Sequence, residues 1–384
     1  MRTIVIWGAG RIGRGFVADM FHVEGWRTVF VDIDADLVCK LNRNKAYTIF
    51  KAQTTGITQT RISDNFTALH TSQTRELNAL FEEEGLLLDI AVHKPKLPEV
   101  ADMVAPLLRH RAAVGAGSMD IMMNVNMAEP NVAFAKLLEE RLQNADLAYY
   151  REHIGITGIA AMCISPIATD AMFAQDELAL LNNGYFEQAI GRHALKGEIP
   201  VVPRIRICED VQAEEIRKLY TLNMAHATCC YLGVQKGLHT VIEVMRDAEL
   251  RQIVVQALDE AVFGLSHAYS FDENTMRNWS NIILELLDNP YIDDNLPRLG
   301  ADTKRKLYGT DRLCGAAQLC VQAGRKPYAI AKAIRAGYDF KHDDEGTIYV
   351  QTRLEQVGLE NALTEISQLS PKDELYSLIL SANP

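Results

Sequence analysis

Strand-like and helix-like segments alternate in the first half of the chain. Short apolar, β-branched segments of the kind found in buried strands are separated by segments whose apolar residues recur at helical spacing. Such an alternation predicts an α/β fold with a Rossmann-like, doubly wound parallel sheet covered on both faces. The predicted strands are Thr3–Trp7, Thr28–Asp32, Leu86–Val92 and Ala112–Val114, and the predicted helices are Phe16–His22, Asp36–Asn44 and Pro98–Arg109.

The second half has a different pattern, with helical spacing and few strand signals. Two prolines and a cluster of charges in 197–210 interrupt the chain between the halves, so we predict a Rossmann-like domain over residues 1–205 and a mostly α-helical domain over 206–384. The segment Leu147–Asn183 is ambiguous and could add strands to the sheet. The helices expected in the second domain are Val211–Leu232, Ala248–Ser266, Glu273–Leu287, Thr310–Ala323, Pro327–Ala336 and Glu360–Gln368.

The length, composition and charge of the chain disfavour several classes of protein. A length of 384 residues suits two domains, and 48% hydrophobic with 23% charged residues excludes a disordered or collagenous chain. The formal net charge of −11 disfavours general nucleic-acid binding. No stretch approaches the roughly 20 apolar residues of a membrane helix, and the N-terminus lacks the features of a signal peptide. We therefore expect a cytoplasmic protein that binds neither nucleic acid nor membrane.

Cysteine and histidine spacing gives no sign of a metal site. The seven cysteines include no CxxC pair, and the ten histidines form no HxH, HxxxH or HExxH motif. Such scattered cysteines are typical of reduced thiols in a cytoplasmic protein, most of them in the core. We expect no structural zinc site.

The residues Gly8-Ala9-Gly10-Arg11-Ile12-Gly13 form a GxGxxG motif between the first predicted strand and the first predicted helix. In this motif the first glycine permits a tight turn, the second lets the backbone approach a pyrophosphate, and the third lets the helix pack closely on the strand. The helix N-terminus then presents N–H groups to the diphosphate. The alternatives are a tight turn without a ligand, and FAD, which the helical second half disfavours.

The second predicted strand ends in an acidic residue, Asp32, 19 residues after Gly13. A carboxylate at this place accepts hydrogen bonds from the adenosine ribose and repels a 2′-phosphate. Ile33 and Asp34 follow, with no arginine to accommodate that phosphate, so the sequence favours NAD over NADP. The residues expected to bind the cofactor are Gly8, Ala9, Gly10, Arg11, Ile12, Gly13 and Asp32.

Three polar residues, Lys218, Asn223 and His226, recur in a helical segment of the second half. At 100° per residue they lie within about 140° of one another, on one side of an otherwise apolar helix. A desolvated lysine can have its pKa lowered and act as the base in an alcohol oxidation, while Asn and His donate to the reacting oxygen. The alternative is a solvated lysine beside a histidine of the core.

The segments KLYTLNMAHATCCYLG and GAGRIGRGF, together with NPYIDDNLPRLGADTKRKLYGTDRL and GLENALTEISQL, make the chain resemble the polyol-specific long-chain dehydrogenases over nearly its whole length. Its length is similar to that of the short mannitol-phosphate members. The resemblance implies a metal-independent, NAD-dependent secondary-alcohol dehydrogenase with Lys218 as general base and Asn223 and His226 as polarising groups. It also implies that Asn126, in NVNMAEP, completes the site around the reacting oxygen.

Two segments depart from the family pattern. Asn124-Val125-Asn126 stands where the family has Cys-Asp/Glu-Asn, and Met162-Cys163 stands where it has an acid and an arginine. The second departure removes a charge pair near the expected active site and bears on which substrate is used.

A sugar phosphate requires a positive cluster, and the segment 298–312 contains several candidates. Arg305 and Lys306 match an arginine–lysine pair of the family, and Arg298 lies nearby, so we expect these three to bind the substrate phosphate. Further cations of this segment are Lys304 and Arg312, and ordinary surface charge is the alternative for each.

The leading hypothesis is the reversible conversion of a linear polyol or its phosphate to the ketose, with mannitol 1-phosphate and fructose 6-phosphate as the expected pair. The alternatives are a dehydrogenase for another sugar alcohol or a sugar acid of the hexuronate type, and an NAD-binding sensor with little turnover. The intact Lys/Asn/His set disfavours a sensor. The sequence leaves monomer and dimer equally open.

Overall fold

The computed structural model describes residues 2–127, 129–185, 187–269, 271–292 and 295–382. The chain divides into two compact units, Met1–Glu215 and Ile216–Pro384. The boundary between residues 205 and 206 stays a prediction.

The first unit is built on parallel strands. Its strands are β1 (Thr3–Trp7), β2 (Arg27–Asp32), β3 (Ala46–Gln53), β4 (Gly56–Ser63), β5 (Phe66–His70), β6 (Leu87–Ile90), β7 (Met119–Met123), β8 (Ile154–Ala161), β9 (Leu180–Asn182), β10 (Gln188–Gly191) and β11 (Ile205–Cys208). Within the described residues they form an eight-stranded sheet, β11-β10-β8-β7-β6-β1-β2-β5, and a three-stranded sheet, β4-β3-β9. In the large sheet only β10 against β8 is antiparallel. The predicted Rossmann-like sheet is confirmed.

Helices cover both faces of the large sheet. On one face Val5, Leu88 and Ile121 pack in a buried cluster with residues of the third to sixth helices, and on the other face Ile4 and Ile6 pack with the first two helices and with β3 and β9. The helices are α1 (Ala18–Val23), α2 (Ala35–Asn44), α3 (Thr74–Phe81), α4 (Leu97–Val114), α5 (Pro130–Glu139), α6 (Asn144–His153) and α7 (Asp170–Gln175); a π-helical turn, Gly13–Val17, precedes α1, and 3-10 turns lie at Lys94–Lys96 and Arg192–Ala194.

One sequence prediction, the strand at Ala112–Val114, is wrong. Ala112–Val114 is not a strand but the last turn of α4, which ends at Gly115 in the left-handed region (φ 68°), and the strand follows at Met119–Met123. A run of three apolar residues fits the end of an amphipathic helix as well as a strand, so periodicity alone did not separate them. The ambiguous segment Leu147–Asn183 contains both helices and strands, and the antiparallel pair β3–β4 was not anticipated.

The second unit is helical, as predicted. Its helices begin with α8 (Val211–Lys218), which starts before the division, and a π-helical turn, Leu219–Asn223. The helices that follow are α9 (Met224–Gln235), α10 (Val241–Arg246), α11 (Ala248–Tyr269), α12 (Glu273–Leu287), α13 (Leu296–Gly300), α14 (Thr303–Lys306), α15 (Cys314–Gln322), α16 (Tyr328–Asp339), α17 (Glu345–Glu365, kinked at Gly358) and α18 (Glu374–Ser381).

A buried arginine ties the end of α4 to its surroundings. Arg111 is fully buried, and its guanidinium donates to the carbonyls of Phe81 (2.5 Å), Glu83 (2.9 Å) and Gly117 (2.7 Å). These carbonyls belong to the segments that lead into β6 and β7. The arginine therefore fixes the entry of two central strands of the sheet.

We expect Arg111→Met to lower the free energy of unfolding by about 3 kcal/mol, because each buried carbonyl that loses its donor costs about 1–3 kcal/mol. Urea unfolding followed by circular dichroism measures the change. Arg109→Met is the matched control, since Arg109 lies on the same helix with an exposed side chain and should change stability by less than about 0.5 kcal/mol. Equal effects of the two substitutions would contradict the role of Arg111.

Candidate active site

The loop after β1 packs so closely on its neighbours that two of its glycines are required. Gly8 has φ +102°, and a Cβ there would lie 2.5 Å from the carbonyl oxygen of Ala91. A Cβ on Gly13 would overlap the carbonyl oxygen of Gly8 and come within 2.9 Å of the Cγ2 of Ile6. These contacts bring the N-terminus of the first helix directly over the carboxyl end of β1, as a dinucleotide-binding turn needs.

Gly10 is the one glycine of the motif that protein packing does not require. A Cβ on Gly10 would meet no atom of the described residues within 4 Å, and Gly10 and the neighbouring Arg11 are exposed. The helix begins at Arg11, directly after Gly10, and continues through the π-helical turn Gly13–Val17. Open space above a backbone of this kind, at a helix N-terminus, fits the pyrophosphate of a dinucleotide.

Asp32 lies where the adenosine ribose of a dinucleotide is expected. Its Oδ2 accepts a hydrogen bond from the N–H of Ala9 at 2.7 Å, and its Oδ1 accepts one from the N–H of Asp34 at 3.0 Å. The carboxylate is only partly buried at the end of β2, so it keeps lone pairs that can accept from ribose hydroxyls. The structure thus brings the predicted cofactor residues together, with Ala9 buried and Ile12 partly exposed.

Arg14, which the sequence did not single out, supports this loop from beneath. Its guanidinium is buried, donates to the carbonyls of Ala9 (2.6 Å) and Leu178 (3.0 Å), and lies over the ring of Tyr47. Burial lowers the pKa of Arg14. An arginine directly after GxGxxG usually suggests a solvated helix face, and only the tertiary contacts show that it fixes the loop.

The two departures from the family pattern follow neighbouring strands. Asn126 is exposed three residues after the end of β7. Met162 and Cys163 come directly after β8, where Met162 is buried with its N–H 3.3 Å from the carbonyl of Glu187 and Cys163 is partly exposed.

In the second unit, Lys218, Asn223 and His226 lie along one continuous helical segment. All three are partly exposed, whereas Leu222 and Ala225 between them are buried. An amine, an amide and an imidazole therefore share the accessible side of the segment. Such a set provides one group that can take a proton and two that can donate to an oxygen.

A π-helical turn over Leu219–Asn223 separates Lys218 from His226. The N–H of Met224 donates to the carbonyl of Leu219, five residues earlier, and the hydroxyl of Thr221 donates to the carbonyl of Arg217 at 2.6 Å. Bonding between residues five apart places residue i+5 beside residue i, so Asn223 lies closer to Lys218 than an ordinary α-helix would allow. Single π turns of this kind are frequent at functional sites.

The expected phosphate-binding residues do not form one exposed group. Arg298 and Arg305 are exposed, and Arg305 pairs with Asp302 at 2.5 Å. Lys306 is buried and donates to the carbonyls of Leu299 and Ala301. Burial and the nearby Arg312 and Arg305 lower the pKa of Lys306 to about 7.

Across the described ranges, no three His, Cys, Asp or Glu side chains are grouped so that they could hold a metal ion. Within the same residues, no helix has both the length and the apolar character needed to cross a membrane.

Comparison with known proteins identifies the family. A model of the mannitol dehydrogenase Rossmann domain matches residues 2–202, and a model of the mannitol dehydrogenase C-terminal domain matches residues 210–371. The mannitol-1-phosphate 5-dehydrogenase of Bacillus subtilis (strain 168) is 31% identical over 97% of both chains, and that of Geobacillus stearothermophilus is 30% identical over 98% of this chain and 97% of the relative. The chain therefore belongs to the mannitol dehydrogenase family.

Solved structures agree on the fold. A D-sorbitol dehydrogenase in substrate-free form superposes with a TM-score of 0.84 at 14% identity, covering 98% of this chain and 91% of that one. A Pseudomonas fluorescens mannitol 2-dehydrogenase, in a ternary complex with NAD and D-mannitol, gives 0.75 at 15% identity and covers 98% and 90%. Family membership confirms the predicted enzyme class, an NAD-dependent polyol oxidoreductase, and the predicted cofactor.

Substitutions at Gly10 and Gly13 should have different effects, the first on cofactor binding and the second on stability. We expect Gly10→Ala to keep the melting temperature within about 2 °C, because its Cβ meets no protein atom, and to weaken NADH binding by more than about tenfold, because the Cβ enters the space for the pyrophosphate. Gly13→Ala should instead lower the melting temperature, since its Cβ overlaps the Gly8 carbonyl. Thermal unfolding and NADH fluorescence titration measure the two effects; an unchanged NADH affinity in Gly10→Ala would contradict the cofactor site.

Proposed function

We propose that the chain catalyses the reversible, metal-independent conversion of mannitol 1-phosphate to fructose 6-phosphate in the cytoplasm, with NAD as acceptor and Lys218 as general base. The observation that carries the proposal is the accessible side of one helical segment that presents Lys218, Asn223 and His226, in a member of the mannitol dehydrogenase family. Two relatives about 30% identical over nearly their full length have the name of this activity.

Each residue of the set has one task. When bound, NAD supplies the nicotinamide that accepts a hydride from the alcohol carbon. Lys218, in its neutral form, takes the hydroxyl proton, and Asn223 and His226 donate hydrogen bonds to the oxygen as negative charge develops there. In the reverse direction the protonated Lys218 returns its proton to the carbonyl oxygen of the ketose.

The residues of the first unit select and hold the dinucleotide. Gly10 leaves room for the pyrophosphate, and the N-terminus of the helix that follows it provides N–H donors. Asp32 accepts from the ribose hydroxyls and repels a 2′-phosphate, which favours NAD over NADP. Arg14 keeps the loop in place through the Ala9 carbonyl.

For the substrate phosphate, Arg298 and Arg305 are the exposed cations of the predicted set. Arg305 is paired with Asp302, so phosphate binding by Arg305 exchanges one anionic partner for another. Lys306 has an indirect role, because its hydrogen bonds to the carbonyls of Leu299 and Ala301 hold the segment that carries Arg298.

The lysine assignment has a direct test. We expect Lys218→Ala to reduce kcat for mannitol 1-phosphate oxidation by about 10³-fold while NADH affinity stays within twofold, because general bases typically contribute 10²–10⁴ in rate. The wild-type rate of oxidation should rise with pH through one ionisation, since the deprotonated form is active, and this ionisation should be absent in the variant. Lys372→Ala, at an exposed lysine of the same unit, is the control. Near-normal turnover in Lys218→Ala would exclude the base assignment.

The substrate assignment is tested by NADH oxidation with fructose 6-phosphate and fructose side by side, with NADPH as the cofactor control. Strong activity is expected only with the phosphate and only with NADH. We expect Arg305→Ala to raise KM for fructose 6-phosphate by about tenfold with little change in kcat, because it removes an anion contact distant from the reacting carbon. Arg353→Ala is the matched control, since Arg353 is likewise paired with a carboxylate (Glu365, 2.5 Å).

Other outcomes of this assay would favour one of the alternative functions. Turnover of a hexuronate or of an unphosphorylated sugar alcohol, with fructose 6-phosphate inactive, would favour the alternative dehydrogenase. NADH binding without turnover of any member of a polyol and sugar-acid panel would favour the sensor.

A further inference from the structure

A carboxylic acid, Asp89, lies inside the central sheet of the first unit. It is fully buried in β6, where it pairs with Ile6 of β1 on one side and Met122 of β7 on the other. Residues paired across neighbouring strands point to the same face of a sheet. Ile6 and Met122 belong to the buried cluster on the side of α1, so Asp89 lies on that side too.

Within the described residues, Asp89 has one side-chain hydrogen-bond partner, Asn124. The amide Nδ2 of Asn124 donates to Asp89 Oδ2 at 2.5 Å, whereas Oδ1 has no hydrogen-bond partner within the part of the chain that the structure describes. Burial raises the pKa of Asp89 to about 8, so at pH 7 the group is mostly a neutral acid whose carbonyl oxygen can accept from Asn124. A buried acid with an unpartnered oxygen destabilises the folded state, which suggests a use other than packing.

Asn124 connects the buried acid to the surface. It directly follows β7, is partly exposed, and lies two residues before the exposed Asn126. Because its Nδ2 is held by Asp89, its Oδ1 is the end turned away from the acid. The pair therefore presents a fixed hydrogen-bond acceptor at the carboxyl end of the sheet.

The strand order places this acceptor beside the far half of a bound dinucleotide. The strands β2, β1, β6 and β7 are successive neighbours. The chain leaves β1 toward β2 and returns on the other side of β1 to β6. The strand order therefore reverses between β1 and β6, and open α/β sheets bind their ligands at such a reversal. If Asp32 at β2 holds the adenosine ribose and the glycines at β1 hold the diphosphate, the nicotinamide half extends over β6 and β7.

We infer that Asn124 binds the carboxamide of the nicotinamide, accepting a hydrogen bond from its NH2 group through Oδ1, and that Asp89 is the positioning residue that turns this oxygen toward the cofactor. The inference rests on the proposed function, and it adds a contact that fixes the nicotinamide ring. A carboxamide held at one end restricts rotation of the ring and so controls which face meets the substrate.

The first test needs no variant. Calorimetric titration of the wild-type chain compares NAD with 3-acetylpyridine adenine dinucleotide, which has an acetyl group and therefore no NH2 donor, and with ADP-ribose, which has no nicotinamide. We expect NAD to bind about tenfold more tightly than the acetyl analogue, the effect of one hydrogen bond in a desolvated site.

Variants assign that difference to the pair. In Asn124→Ala, NAD and the acetyl analogue should bind equally, whereas the affinity for ADP-ribose should stay within twofold. Asp89→Leu should also lose the discrimination, and Asp89→Asn should keep it, because an amide oxygen still accepts from Asn124. Asn44→Ala, at an exposed asparagine of α2, is the control that should change none of the three affinities.

The outcomes separate this inference from the proposed function. If the wild type binds ADP-ribose and binds NAD and the acetyl analogue equally, the role of Asn124 is overturned and the proposed function stands. If the wild type binds neither ADP-ribose nor NAD, both the inference and the proposed function are overturned. A purely structural pair would lower the melting temperature in Asp89→Leu and leave the discrimination between NAD and its analogue unchanged, which would also overturn the inference.

Discussion

The first unit depends on the contact between the first helix and the end of β1. Only a hydrogen at Gly13 allows the helix to approach the Gly8 carbonyl, and only a glycine adopts the backbone of Gly8 so close to Ala91. Asp32 reinforces this contact by accepting from Ala9, and Arg14 does so by donating to the carbonyl of the same residue. The helix N-terminus, the space above Gly10 and the acidic end of β2 hold their relative places because this contact is close.

The second unit achieves a similar placement by a different means. Its polar residues stand on one segment in which the α-helix widens to a π turn. The side chain of Thr221 bonds to the Arg217 carbonyl on one side and accepts from the indole N–H of Trp279 at 2.9 Å on the other. The irregular turn is thus secured by buried hydrogen bonds, and it brings Asn223 round toward Lys218.

The sequence was sufficient where one local pattern has one structural meaning. The GxGxxG motif, Asp32 and the helical spacing of the second half predicted the fold class and the cofactor, because glycine positions and periodicity depend on backbone geometry. The sequence was insufficient where tertiary contacts determine which side chains are buried and which pair with one another. Nothing local distinguishes the buried Lys306 from the exposed Arg305, marks Arg14 as buried, or shows that Asp89 and Asn124, 35 residues apart, form a pair. The π turn is likewise a product of packing.

The reversed strand β10 has a consequence for how such an enzyme can diversify. Because β10 runs against β8 and β11 runs with β10, the segments that precede these two strands reach the same edge of the sheet as the segments that follow β7 and β8. There the N–H of Ile164 donates to Asn183 and that of Met162 to Glu187. The loops that precede β10 and β11 and the loops that follow β7 and β8 therefore lie at one edge of the sheet. They can change in sequence while the strands and glycine turn that hold the dinucleotide stay the same.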